Sequence, residues 1–138
     1  MVDKEKIRSK IQTIEGNCAK LKELGKYSLQ EFLNDFRNVE AAKHLMQINV
    51  KAMIDVANHI AARNRWRTPG TSAEAFALLE QNGYFTVDDL STFNKMVKFR
   101  NRLVHLYHIV DDNELYKILQ ENLDDFSLFI KRITNKVF

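Results

Sequence analysis

The segment KFRNRLVHLYHIVD, residues 98–111, sets Lys98, Arg100, Arg102, His105, Tyr107 and His108 in a run with no acidic residue before Asp111. These side chains suit one kind of chemistry. Cutting an RNA phosphodiester without a metal needs a base for the ribose 2′-hydroxyl and an acid for the leaving 5′-oxygen. It also needs positive charge over the phosphorane-like transition state. Histidine, with an ordinary pKa of about 6.5, serves as acid or base near neutral pH. Arginine stays protonated, and its planar fork matches phosphate oxygens in pairs. One positioned electrostatic contact of this kind lowers a barrier by about 3 kcal/mol.

Geometry leaves choices open. At about 100° per residue, Arg100, Val104 and Tyr107 fall near one helix face, and Asn101, His105 and His108 on the next. Arg102 and His105 are neighbours at i,i+3, whereas Arg100 and His105 lie about 140° apart on a straight helix. Asp111 with Glu114 reads as the cap of a following helix, so the cluster's own helix should end soon after His108. A single histidine is thin for both acid and base, and a symmetric dimer would bring two to a shared cleft. By spacing alone the segment also fits an exposed basic helix end with a satisfied histidine, and either Arg100 or Arg102 could hold phosphate.

Other clusters point less far. Asp55 and His59 at i,i+4 suit a structural pair, His44 reads as surface, and RNRWR at 63–67 reads as a solvated helix end. His105, His108 and Asp112 make an incomplete metal set. Nothing resembles a phosphate-binding glycine loop, a Ser–His–Asp arrangement or a paired-carboxylate site.

The elements around the cluster are helical. Ile7, Ile11, Ile14, Cys18 and Leu21 alternate in steps of four and three, a single apolar stripe that Gly25 closes. Ser28 and Glu31 form a capping box, with a further start at Asn34 or Asp35. Val39, Ala42, Met46, Met53, Ala57 and Ile60 carry a long helix to about Asn64, stopped by the Pro69–Gly70 turn. Thr71 with Glu74 opens a short helix closed by Gly83, and Thr86 with Asp89 caps the helix that leads into the cluster. Leu115, Leu119, Leu123, Phe126, Ile130 and Ile133 mark the last. No stretch alternates with period two. The expectation is an all-α, up-and-down bundle of about five helices in one domain, residues 1–138.

Bulk properties narrow the setting. Apolar residues make up 45% and charged ones 28% of 138 residues, a globular balance rather than a disordered one. The lone Cys18 excludes an internal disulfide, no apolar run reaches membrane-spanning length, and the charged start is unlike a signal peptide. A cytoplasmic protein is expected. The net charge of +3 permits a nucleic-acid partner without requiring one.

Beyond composition and spacing, RNRLVHLYHIVD resembles the Arg-polar-x3-His signature of the HEPN superfamily, in the HepT-like toxin form with its added His-x-Tyr. MIDVANHIAA at 53–62 and TPGTSAEAFALLEQNGYF at 68–85 are similar to the flanking segments of that family. The resemblance implies a homodimeric helical bundle acting as a metal-independent endoribonuclease toxin, with no cofactor. Arg100 and His105 would be the catalytic pair and Asn101 the supporting polar residue. Lys98, Arg102 and His108 would be further phosphate contacts. It implies, too, that a cognate minimal nucleotidyltransferase antitoxin places AMP on Tyr107. The alternative is a non-catalytic helical subunit that binds a nucleotidyltransferase or nucleotide.

Overall fold

The structure, a computed structural model, describes residues 2–105 and 110–138. Among the described residues seven helices run in the order α1 (Lys4–Leu24), α2 (Leu29–Asn34), α3 (Phe36–Arg63), α4 (Ser72–Gln81), α5 (Val87–Val104), α6 (Asp112–Glu121) and α7 (Asp124–Val137). There is no strand among the described residues. The all-helical bundle is as expected; the number of helices exceeds the expected five or so. Asp35 takes an extended backbone that separates α2 from α3, and its carboxylate caps α3 by accepting the Arg37 N–H. The final stretch divides at Asn122 and Leu123, where neither glycine nor proline announces a break.

Side-chain caps fix the starts of every helix but α7, which follows Leu123 without one. Ser28/Glu31 and Thr86/Asp89 are complete capping boxes, each side chain taking up the other residue's backbone N–H. At α4 the exchange is one-sided: Thr71 accepts from Glu74 N–H, but the Glu74 carboxylate turns to Gly70 N–H instead.

The α1 stripe is buried against α3. Within that seam Asn49 is fully enclosed, donating to the Ile14 carbonyl at 3.2 Å and accepting from Asn17 at 3.1 Å. Its amide also reaches the Cys18 sulfur, and burial pushes that thiol up to about 11. Cys18 is therefore protonated at neutral pH, a packing residue rather than a nucleophile. At the other seam Phe76, Phe85, Phe93 and Phe129 join α4, α5 and α7, with ring centroids from 4.8 Å (Phe85–Phe93) to 6.3 Å (Phe76–Phe129). Each buried ring contributes about 1.5–3 kcal/mol, and each edge-on pair somewhat more. Phe93 holds the middle of α5 in this cluster, so the helix that leads into the motif cannot slide along its neighbours.

Candidate functional site

The motif stands where α5 stops. Its first turn is tied down by the capping box and by Arg132 of α7, whose Nε donates to the buried Asp89 carboxylate at 2.7 Å. Burial pushes Asp89 upward, but the Thr86 N–H and the Arg132 guanidinium outweigh it and hold the carboxyl below its usual range. Farther along, Met96, Val97 and Phe99 are buried, and each fixes the rotation of the last two turns.

The helix ends earlier than the sequence suggests. His105 is the C-cap of α5, with φ −83° and ψ 120°, and donates its backbone N–H to the Asn101 carbonyl at 3.1 Å. Its side chain is thus no longer bound to the 100° per residue rule, and the 140° separation from Arg100 does not apply. Asn101 and His105 are exposed, while Arg100 is half-buried. The Arg100 guanidinium reaches the Asn101 side-chain oxygen at a long 3.5 Å, and its Nε is buried without a hydrogen-bond partner. An unsatisfied cationic donor beside a helix end is an unfavourable arrangement that an anion or a rearranged neighbour would relieve. Tyr107 and His108, assigned to modification and phosphate contact in the sequence reading, lie outside the described residues.

Lys98 and Arg102 do not join Arg100. They sit about 40° apart on α5, with Arg100 about 160° away from each. Both line a cavity of about 450 Å³ bounded by residues of α3, α5, α6 and α7, with Met46, Met96 and Phe99 among its apolar walls. Arg102 is occupied there: it forms a two-pronged bridge to Glu114 of α6, both N···O distances being 2.8 Å, and lies over the Phe99 ring. The Arg102 hydrogen bonds hold Glu114 below the usual carboxylate range. Sequence reasoning took Glu114 for a cap partner; Asp111 caps α6 alone, by accepting from Asn113 N–H. Asp55 and His59 likewise part company. Asp55 pairs with Lys51 at 2.8 Å and Lys10 at 3.3 Å, whereas His59 Nε2 accepts the Asp3 N–H. His44 is exposed, as read.

The all-helical fold and the sequence together are those of a HEPN-type domain. The sequence profile described as Ribonuclease HepT-like matches residues 14–133, and the chain belongs to that family. It is 33% identical over 100 residues to the mRNA nuclease HepT of Shewanella oneidensis, covering 72% of this chain and 75% of the relative. It is 26% identical over 129 residues to the tRNA nuclease HepT of Aphanizomenon flos-aquae, covering 94% and 88%. Among solved structures, the tri-AMPylated Shewanella oneidensis HEPN toxin in complex with MNT antitoxin superposes with a TM-score of 0.88 at 31% identity. That match covers 99% of this chain and all of the other.

Proposed function

We propose that this chain is an endoribonuclease toxin that cleaves RNA without a metal, using His105 and Arg100 from two identical subunits around one cleft. The observation that carries this reading is the end of α5. The helix stops at Val104 and leaves the His105 side chain exposed, one turn from a half-buried arginine with an unsatisfied donor.

In the proposed reaction one imidazole removes the proton of the ribose 2′-hydroxyl, and the 2′-oxygen bonds to phosphorus. The phosphorus–O5′ bond breaks, and a second imidazole protonates the departing oxygen. The products are a 2′,3′-cyclic phosphate and a 5′-hydroxyl. Arg100 balances charge on the non-bridging oxygens, and Asn101 supports its guanidinium. Two histidines serve the two proton transfers, hence the dimer.

Control follows from the same charges. Tyr107 is two residues beyond His105 in sequence, and in the Shewanella relative the HEPN toxin is tri-AMPylated and bound to an MNT antitoxin. AMP added to Tyr107 by such a nucleotidyltransferase would bring bulk and negative phosphate to a site that must receive RNA phosphate, excluding it sterically and electrostatically.

The test is cleavage of RNA in excess EDTA by the chain and by His105→Ala and Arg100→Ala. The intact chain should cut and leave cyclic-phosphate ends, and both variants should lose at least a hundredfold in rate. The intact chain should also lose cleavage after incubation with the nucleotidyltransferase and ATP, with mass added at Tyr107 in steps of one AMP. Undiminished cutting by both variants, or none by the intact chain unless a divalent ion is present, contradicts the mechanism.

A further inference from the structure

The end of the bundle where α5 begins carries a second feature. Helix α3 closes with two backbone hydrogen bonds: Arg65 N–H to the Ala62 carbonyl and Trp66 N–H to the Ala61 carbonyl, both 3.1 Å. Helix α4 closes in the same way, Gly83 N–H to Glu80 and Tyr84 N–H to Leu79. This closure requires a left-handed residue. In α4 it is Gly83, with φ 84°, the residue that adopts it without strain; in α3 it is Arg65, with φ 56°. The residues that follow, Trp66 and Tyr84, are half-buried and meet edge to face at 5.9 Å.

Cations cluster in sequence around Trp66, and one more stands over Tyr84. Arg63, Arg65 and Arg67 are exposed, and Lys136 lies 5.8 Å from the Tyr84 ring. No acidic residue occurs between Asp55 and Glu74. Glu74 pairs with Arg67 at 3.3 Å, while Arg65 makes no ion pair with the described residues. The remaining carboxylates close in sequence to the Tyr84 turn are Glu80, Asp88 and Asp89, the last already held by Arg132. An arginine in a position that favours glycine, next in sequence to one ring of an aromatic pair, is an observed strain that calls for a use of its side chain.

We infer that Arg65, Trp66 and Tyr84 form a second contact for the RNA strand, away from the cleavage site, with Arg65 on phosphate and a base against the aromatic pair. Arginine and aromatic rings together are what single strands bind without sequence readout. The eighteen residues of α5 place this platform roughly 27 Å from His105. It therefore engages only RNA long enough to span that distance, on the order of eight stacked nucleotides. The inference rests on RNA being the substrate, and its test separates the two.

The experiment measures RNA binding by fluorescence anisotropy on the His105→Ala chain, with a single-stranded 30-mer and a trinucleotide, over a range of salt. Arg65→Gly is the variant, because glycine suits the left-handed turn and its Tm should not fall. Affinity for the 30-mer should drop several-fold and the salt slope by about one, the signature of one lost phosphate contact. Trinucleotide binding, and trinucleotide cleavage in the chain that retains His105, should not change. Unchanged 30-mer affinity overturns the platform and leaves the nuclease reading standing. An effect of Arg65→Gly on nucleotidyltransferase binding, with RNA binding intact, also overturns it and assigns the surface to a protein. Failure of the His105→Ala chain itself to bind either RNA overturns both readings.

Discussion

Arg102 shows how a residue's chemistry and its employment differ. As a cation three residues from His105 it is a reasonable phosphate ligand, but both its terminal nitrogens are committed to Glu114, twelve positions away. The bridge joins the last turn of α5 to the first turn of α6, the two supports on either side of the motif in sequence. Half-exposed pairs contribute little to global stability, so its value is in holding those supports. Glu114→Gln is expected to slow RNA cleavage several-fold with Tm almost unchanged, and combining Arg102→Glu with Glu114→Arg should recover much of the rate. Cleavage rates set beside thermal melts decide it: a charge reversal that stays as slow as the single variant would return Arg102 to the role of RNA ligand. A contact across twelve residues and a turn has no periodicity to betray it, which is why the sequence showed the cation and not its partner. The Asp55–His59 expectation fails for the same reason, since Lys10 and the Asp3 backbone come from another helix and its cap.

Among the elements, α5 matters most, and Asp89 secures it twice: it completes the capping box at Thr86 and receives Arg132 from α7. Losing the charge at this buried position should cost on the order of 2 kcal/mol, through a weakened cap and a charged hydrogen bond. Because its folded pKa is depressed, the stability Asp89 adds is fully present above the unfolded value of about 3.9. It is lost as pH falls through the lower folded value. Urea unfolding of Asp89→Asn should therefore show a clear deficit at pH 7 that shrinks as the pH is taken below 3; a deficit constant with pH would mean the carboxylate's charge is not what holds the helix. The starts of these helices were legible because Ser, Thr and Asp caps are local signals, and so were the apolar stripes of α1 and α3. The break at Asp35 was legible in the same way, since an aspartate cap is a local signal; the one at Asn122–Leu123 was not, because apolar periodicity continues across it and packing alone interrupts the backbone. The tip of α5 lies a few residues before the point the sequence suggests, for a related cause. Nothing between Arg100 and Asp111 is a helix breaker, yet the chain leaves the helix at His105. The residue types of the candidate site could thus be read from the sequence, while the end of the helix at its histidine could not.

At the scale of the whole molecule, one chain offers one described motif histidine, at a single helix tip, whereas the proposed reaction moves two protons in opposite directions. If the second imidazole comes from a second copy across a two-fold axis, a mixed dimer containing one His105→Ala chain has an acid or a base but not both. Wild-type chain unfolded and refolded together with a tenfold excess of the inactive chain would then be sequestered. By random pairing only about a tenth of the wild-type chains find a wild-type partner, and the cleavage rate per wild-type chain should fall to about that fraction. Sites complete within one subunit would instead keep their full rate at any excess. Arg100→Ala used as the diluting chain provides the contrast. Its mixed dimers retain both histidines and one guanidinium, so they should keep more activity than those formed with His105→Ala. Suppression by the histidine variant that exceeds suppression by the arginine variant would separate a shared proton relay from a merely shared electrostatic cleft.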